Sequence, residues 1–322
     1  MEPRLVKKGN LQNAIGIPSS GGATVIPTFV IFLREGIEAS MIIAILLAYL
    51  ESIDQRRHFK DIFLGVAAAF VLILAGGIAA YLLISQYSGS RVQTIFETIT
   101  YLIAATSLTY MTFWMQRHSR TLSKELKQRS DNALDNGTRT GLSLVAFSAV
   151  GREGLETMVF TLAIVFASSK QAPTADNSRW LLIGAIAGLV VALGIAFGIY
   201  KMGAKFNIGR FFRILGVLLL VFAAGLLSNA VANLQELGWL PFGTQMLWDS
   251  SNVLAQSSVG GDLLHSFFGY ADHPTVLQAA VWLVFLSFTL VAYIVIGKSK
   301  PPRKSDTAKV PNATESLKVT SS

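Results

Sequence analysis

Cysteine is absent from this chain of 322 residues, and charged residues are few. Without cysteine the protein has no disulfide, no thiolate metal site and no cysteine redox chemistry. Asp, Glu, Lys and Arg make up 14% of the residues and hydrophobic residues make up 52%, a balance typical of a polytopic membrane protein. Histidine occurs four times, always outside the long apolar runs. A metal site within the membrane is therefore restricted to oxygen ligands, which favour hard cations.

Seven apolar runs follow a polar N-terminal stretch, and each is close to the roughly 20 residues that a helix needs to cross a bilayer core. They lie at about 26–50, 62–84, 95–115, 141–167, 180–203, 211–231 and 275–297. The pattern predicts an all-α polytopic membrane protein with about seven transmembrane helices in residues 26–297. Residues 1–25 predict a flexible arm without a signal-peptide core, and residues 298–322 predict a disordered cytoplasmic tail.

Lysine and arginine are concentrated in alternate loops, which sets the predicted orientation. Most of them follow the first, third and fifth runs or open the tail: Arg56, Arg57, Lys60, Arg117, Arg120, Lys124, Lys127, Arg129, Arg139, Lys201, Lys205, Arg210, Arg213, Lys298, Lys300, Arg303 and Lys304. Basic residues in the N-terminal arm oppose this assignment but are outnumbered. We therefore expect a multi-pass protein of the cytoplasmic (inner or plasma) membrane with its N-terminus outside and its C-terminus inside. Because the basic residues act as retention signals, we expect no nucleic-acid partner.

Two similar charged motifs interrupt the first and fourth apolar runs. They read Arg34-Glu35-Gly36-Ile37-Glu38 and Arg152-Glu153-Gly154-Leu155-Glu156. A charged residue at mid-membrane costs roughly 2.5–3.5 kcal/mol on insertion scales, so an ionisable cluster there is a functional-site hypothesis by default. Because three helices separate the starts of the motifs, the motifs run in opposite directions across the bilayer. The sequence thus predicts two inverted three-helix repeats, 26–115 and 141–231, plus an extra helix at 275–297. The site is expected near the midplane where the repeats meet.

The glutamates of each motif are three residues apart and therefore share one helix face. Together the motifs would present four carboxylates to one point: Glu35, Glu38, Glu153 and Glu156. Arg34 and Arg152 stand four residues before the second glutamate of their motif, where they support it as ion-pair partners. A purely structural set of ion pairs is the alternative to a metal site, but two arginines neutralise only two of four glutamates. Gly36 and Gly154 remove side chains beside the acids and permit close helix crossing.

Other candidate residues lie toward the outside. Glu97 is either an interface residue that reaches water or an outer relay ligand for an entering metal. The loop 232–274 contains acids but no Lys or Arg, so it is either an electronegative mouth that concentrates cations or a loop that merely avoids basic residues. His265 and His273 in this loop are candidate Fe or Zn ligands, although lone loop histidines usually have no such role. The sequence leaves open a re-entrant or interfacial helix here, for which three aromatic residues are suited: Trp239, Trp248 and Phe267.

The two motifs resemble the paired signatures of the oxidase-dependent iron permease family of bacteria (EfeU type) and fungi, with Ile37 as a conservative departure. Further stretches resemble the bacterial branch: Phe96-Glu97, Phe113-Trp114-Met115, Ala223-Ala224-Gly225-Leu226 and Phe268-Gly269-Tyr270. The similarity covers most of residues 27–297 and implies that the motif glutamates handle iron. It also implies two partners, an extracytoplasmic iron oxidase or peroxidase and a periplasmic iron-binding protein. Asp249 resembles a recurring acid of the family, which makes it a further candidate metal ligand.

Residues and resemblance together predict a high-affinity iron permease, not an enzyme, with iron as its cargo and no cofactor. In the family model, ferrous iron is oxidised outside and the ferric product crosses. A transporter of another cation, such as Pb²⁺ or Mn²⁺, is the first alternative. An intramembrane carboxylate enzyme is disfavoured because the spans contain no nucleophile–base pair and no cofactor motif. A metal sensor is disfavoured because the tail after Lys298 is too short for a signalling domain.

Overall fold

Seven long helices make up the fold. The computed structural model describes residues 24–87, 89–118, 139–169, 175–202, 208–255 and 268–298, with residues 128, 130, 258, 261, 264 and 265 between these ranges. The helices are α1 (Val25–Ser52), α2 (Phe59–Ser85), α3 (Arg91–His118), α4 (Arg139–Ser169), α5 (Ala175–Met202), α6 (Ile208–Glu236) and α7 (Val276–Lys298). A short 3-10 turn at Arg56–His58 joins α1 to α2. The described ranges contain no strand, which confirms the predicted all-α fold. The predicted N-terminal arm, up to residue 23, and the tail beyond residue 298 lie outside the described residues.

The helices have the length and composition of membrane spans. Four stretches of the described residues are apolar enough to cross a bilayer on hydropathy alone: Arg56–Ile84, Arg179–Gly198, Phe211–Glu236 and Val276–Ile296. Helices α1, α3 and α4 are of similar length but carry the charged motifs or several polar residues, so they are not among these four stretches. Large apolar side chains such as Leu72, Val190 and Phe288 point outward from α2, α5 and α7, as expected for contact with lipid. The chain is a polytopic membrane protein of about seven helices.

Helix α6 lies at the centre of the bundle, where it packs against α3 and α7. The apolar stretch of α6 is 67% buried, against 17% for those of α2 and α5. The largest buried cluster joins α1, α3, α4 and α6 and includes Ile31, Tyr101, Leu108, Phe160, Ile164, Leu219 and Phe222. Helix α7 packs on α6 and reaches the end of α3, where the rings of Phe113 and Tyr293 meet edge to face at a centroid distance of 5.9 Å.

Helices α1 and α5 pack in parallel along a stripe of small residues on α5. A Cβ atom added to Gly184 would lie 2.6 Å from the carbonyl oxygen of Val25, and one added to Gly188 would lie 2.6 Å from that of Phe29. Further along, a Cβ at Gly36 would lie 2.8 Å from the Cβ of Ala192. The contacts advance together along both chains, so the helices run in the same direction. Small residues let the two backbones approach this closely.

Helices α2 and α4 pack in the same way, residue by residue. Three α1–α5 contacts have counterparts between α2 and α4. In each, the α2 residue precedes its α5 match by 119 positions and the α4 residue follows its α1 match by 118. The matched contacts are Gly184–Val25 with Gly65–Ser143, Gly188–Leu33 with Ala69–Gly151, and Ala192–Gly36 with Ile73–Gly154. We call these two surfaces the α1–α5 seam and the α2–α4 seam. The two seams therefore share the same pattern of helix contacts.

The segment between α6 and α7 folds back into the bundle. Gly269, at φ +69°, lies with its backbone against Gly225 of α6. Gly225 is eleven residues before the end of α6, or about 16 Å along the helix. Trp282 donates from Nε1 to the carbonyl oxygen of Phe268 at 2.8 Å and holds this segment against α7. The part of the loop around residue 269 is therefore re-entrant. Trp239 and Trp248 are exposed, whereas Phe267 lies outside the described residues.

Candidate metal-binding site

Three glutamates from the two motifs meet between α1 and α4. Glu35, Glu38 and Glu153 each offer one carboxylate oxygen, and these oxygens all lie within 4.8 Å of one another. The three residues are 3%, 4% and 5% exposed, so the site is closed from the surface. No other group of three or more His, Asp or Glu side chains in the described part of the chain satisfies the same distance. We call Glu35, Glu38 and Glu153 the carboxylate triple.

Arg34 holds the two α1 glutamates of the triple. Its Nη1 donates to Glu35 Oε1, and its Nε lies 3.2 Å from Glu38 Oε1 at ion-pair distance but without hydrogen-bond geometry. All three side chains are buried. Four buried atoms of Arg34 and the triple are left without a hydrogen-bond partner: Arg34 Nη2, Glu35 Oε2, Glu38 Oε1 and Glu153 Oε2. A buried polar atom without a partner costs about 1–3 kcal/mol or more when charged, so three unpaired carboxylate oxygens suit a cation as their missing partner.

The second motif has a different environment. Arg152 lies 3.3 Å by Nε from Glu156 Oε1, and its side chain is 45% exposed. Its guanidinium stands over the ring of Trp114 at 5.1 Å, and its Nη2 donates to Met111 Sδ at 3.4 Å. Glu156 has its other oxygen buried without a partner beside the triple but is not a member of it. The structure therefore brings together three of the four motif glutamates and pairs the fourth with Arg152.

The motif glycines are the points where the seams come closest to the site. Gly36 faces Ala192 across the α1–α5 seam, and Gly154 faces the end of Ile73 across the α2–α4 seam. A side chain at either position would meet a neighbouring helix directly. Glu35 and Glu153, which directly precede these glycines, therefore lie at the edge of a tight helix contact.

Glu97 lies apart from the triple, where the beginning of α3 packs against the end of α6. It accepts hydrogen bonds from Gln93 Nε2 at 2.8 Å and from Asn233 Nδ2 at 3.4 Å. Its side chain is only 4% exposed, so the alternative that it reaches water at the interface is wrong. Met111, which contacts Arg152, is fourteen residues further along α3, or about 21 Å. Glu97 cannot share an ion with the triple.

Asp249 lies in the loop between α6 and α7, with His273 and Asp272. His273 Nδ1 is 2.9 Å from Asp272 Oδ1, and its Nε2 is 3.2 Å from Asp249 Oδ1. The hydrogen bond to Asp272 and the charges of both carboxylates raise the pKa of His273, while bonds from Ser251 and the nearby His273 lower the pKa of Asp249. His265 is buried and bonds the carbonyl oxygen of Tyr270 at 2.6 Å, a structural contact. Asp249, Asp272 and His273 thus form a surface network that is separate from the triple.

Sequence reasoning missed the residues of α3 that contact the second motif. Met111 and Trp114 carry no charge, and their contact with Arg152 depends on how α3 packs against α4. Trp114 was present in the sequence as part of a stretch resembling the bacterial branch, but nothing in that stretch indicates its neighbour.

Comparison with known proteins assigns the membrane-spanning part of the chain to one family. The profile of the family described as "Iron permease FTR1 family" matches residues 25–298. The chain is 36% identical over 285 residues to the ferrous iron permease EfeU of Escherichia coli O6:K15:H31, covering 87% of this chain and 97% of that protein. It is 34% identical over 288 residues to the ferrous iron permease EfeU of Yersinia pseudotuberculosis, covering 88% of this chain and 95% of that protein. No solved structure matches the chain.

Proposed function

The chain belongs to the FTR1 iron permease family and is a membrane-integral iron permease, and from this premise we propose that its iron binds at the carboxylate triple. One observation carries the proposal. Three buried glutamates from two distant helices converge, and oxygens of each lack a hydrogen-bond partner. Closely spaced buried carboxylates repel one another, and a bound cation removes that repulsion while supplying the missing partner.

Each residue of the two motifs has a proposed role. Glu35, Glu38 and Glu153 are ligands of the passing ion, and Glu156 is the fourth acid, which exchanges its partner Arg152 for the ion during transfer. Arg34 positions Glu35 and Glu38 and balances their charge, because a guanidinium cannot itself be a metal ligand. Iron displaces protons from the glutamates as it binds, and protons return when it leaves. Uptake should accordingly slow at high external proton concentration.

We propose that the ion that crosses is Fe³⁺. A site made only of carboxylates suits a hard trivalent cation better than a softer divalent one. The relatives are named ferrous iron permeases, which fits Fe²⁺ as the supplied form. Oxidation would then fall to an extracytoplasmic oxidase or peroxidase, with an iron-binding protein as a second partner. Glu97 and Asp249 are proposed as ligands on the route from outside. Another cation, Pb²⁺ or Mn²⁺, is distinguished from iron by competition during uptake.

The proposed architecture is a pair of inverted repeats, α1–α3 and α4–α6, with α7 added. The matched contacts of the two seams support it, because equivalent residues of the two halves make equivalent contacts. Inverted repeats place a transported ion at the midplane of the membrane. Arg34 and Arg152 are ten and fourteen residues into α1 and α4, which supports a site close to that depth. The distribution of Lys and Arg supports an external N-terminus and a cytoplasmic C-terminus.

The test is uptake of radiolabelled iron by cells that lack other iron importers. Glu35→Ala and Glu153→Ala should each abolish uptake at matched membrane expression, because each removes a ligand contributed by a different helix. Glu51→Ala is the matched control, since Glu51 lies on α1 as well but forms an exposed ion pair with Arg56. Uptake that survives both motif changes would contradict the proposed site. Uptake of Mn²⁺ or Pb²⁺ in place of iron would reassign the cargo.

A further inference from the structure

A set of uncharged polar side chains lies between the carboxylate triple and one end of the bundle. At that end α3 and α7 finish and α6 begins, and Arg117, Lys298 and Arg213 lie in these terminal turns; we call it the basic end. Thr112 and Tyr293 are buried, and Gln116 is partly buried. These three residues come from α3 and α7, and α6 closes the space between them.

Thr112 differs from three other threonines of α3 and α7. Thr98, Thr109 and Thr289 each donate their hydroxyl to the carbonyl oxygen four residues earlier, the usual way to satisfy a threonine inside a helix. The Thr112 hydroxyl is buried and has no hydrogen-bond partner. Its neighbour Met111 contacts Arg152, so Thr112 lies at the level of the second motif. A buried hydroxyl without a partner is costly and indicates a ligand or water that passes there.

Gln116 and Tyr293 extend this set of polar side chains from Thr112 toward the basic end. Gln116 Nε2 donates to the carbonyl oxygen of Tyr293 at 3.2 Å, which leaves its Oε1 buried without a partner. A Cβ atom on Gly216 would lie 2.5 Å from the Tyr293 hydroxyl and 3.1 Å from Thr112 Cγ2. Gly216 therefore provides the space in which the hydroxyl of Tyr293 sits beside Thr112.

A positively charged side chain lies at each end of this set of polar residues. Arg34 holds the triple, and Arg213 lies near the start of α6 at the basic end. Nη2 of Arg34 is itself buried without a hydrogen-bond partner. The order of groups is thus the triple with Arg34, then Thr112 and Tyr293, then Gln116, and finally the solvent-exposed Arg213.

We propose that Thr112, Gln116 and Tyr293 form an exit column, through which the iron ion leaves the triple toward the basic end with part of its shell supplied by their neutral oxygens. This inference rests on the proposed function of the triple. Conduction requires sites that bind strongly enough to accept an ion and weakly enough to release it. Hydroxyl and amide oxygens carry no net charge, and Arg34 and Arg213 flank the column with positive charge. A cation therefore passes through it without being trapped.

The test separates exit from capture by measuring initial uptake rates across a range of iron concentrations. Thr112→Val and Tyr293→Phe remove one hydroxyl each and nearly preserve shape. Each should lower the maximal rate about three- to tenfold while leaving KM unchanged, the size expected for the loss of one buried polar interaction. Gly216→Ala should do the same, because it displaces the Tyr293 hydroxyl. Thr109→Val is the matched control: Thr109 is on the same helix, but its hydroxyl is bonded to Ala105.

The outcomes distinguish the column from the site on which it depends. If Thr112→Val and Tyr293→Phe behave like Thr109→Val while Glu35→Ala abolishes uptake, the column is overturned and the triple stands. If they raise KM, or weaken binding of iron to the purified protein, the column belongs to capture and the inference is equally wrong. If uptake does not depend on Glu35 at all, the proposed site fails and the column fails with it.

Discussion

The α1–α5 seam makes a quantitative prediction for Gly188→Ala. The added methyl would lie 2.6 Å from the carbonyl oxygen of Phe29, and 3.0 Å from both the amide nitrogen of Leu33 and the Cβ of Phe32. Two of these neighbours are backbone atoms, which cannot rotate away, so α1 and α5 must separate. Overpacking of this kind costs about 1–3 kcal/mol.

Gly194→Ala on the same helix is the matched control, because a Cβ there would meet nothing within 4 Å. Either change gains about 0.5–1 kcal/mol by removing a glycine from a helix interior, and this gain cancels when the two variants are compared. The free energy of unfolding of Gly188→Ala should therefore be about 1–3 kcal/mol below that of Gly194→Ala.

The measurement is reversible unfolding in mixed micelles by increasing dodecyl sulfate, followed by tryptophan fluorescence. Gly184→Ala and Gly65→Ala should both be destabilised like Gly188→Ala, because Gly184 contacts the backbone of Val25 in the α1–α5 seam and Gly65 makes the corresponding contact with the backbone of Ser143 in the α2–α4 seam. Equal stability of Gly188→Ala and Gly194→Ala would refute the close contact between the helices. A loss for Gly184→Ala without one for Gly65→Ala would refute the equivalence of the seams.

Three further predictions follow from the site and the loop. Arg34→Gln should lower the free energy of unfolding by about 3–5 kcal/mol in the same assay, because it leaves buried carboxylates unpaired. Arg152→Gln should lower it much less, since Arg152 is half exposed. Equal losses of stability would contradict the difference between the motifs. Asp272→Asn should lower the pKa of His273 measured by NMR, because it removes the carboxylate that raises that pKa. The pair of His273 and Asp272 stabilises the folded protein fully at a pH below the ordinary histidine pKa. This stabilisation disappears as the pH rises through the raised pKa of His273. Iron at a hundred times its dissociation constant should stabilise the wild type by about 2.7 kcal/mol but not Glu153→Gln, and equal stabilisation of both would place the ion elsewhere.

The helices were largely predictable from hydropathy, and the differences have simple causes. The sixth run ends at about residue 231 on hydropathy, but α6 continues to Glu236. Asn233, Gln235 and Glu236 lower the hydropathy without breaking the helix, since Asn233 is buried against Glu97. The re-entrant segment around Gly269 could not be assigned from the sequence, because its depth depends on contact with Gly225 and not on a periodic pattern.

The two motifs show where sequence reasoning about the site ends. Their amino-acid sequences are almost identical, yet Arg34 is buried with two carboxylates and Arg152 is half exposed over Trp114. Arg152 owes its environment to Met111 and Trp114 of α3, which the motif does not encode. Spacing alone placed four glutamates on two helix faces; side-chain packing decides which three of them share a point.

The seams also determine which parts of the protein are able to move as units. Each seam joins a helix of one proposed repeat to a helix of the other, so we expect two stiff bodies, α1 with α5 and α2 with α4, rather than the two repeats. Glu35 and Glu38 belong to the first body and Glu153 belongs to the second. Spin labels on introduced cysteines, in a chain that has none of its own, should show constant α1–α5 distances and iron-dependent α1–α4 distances. Separation of the two bodies would then lower the coordination of the ion from three carboxylates to two, so that the same displacement that opens the path also loosens the cargo.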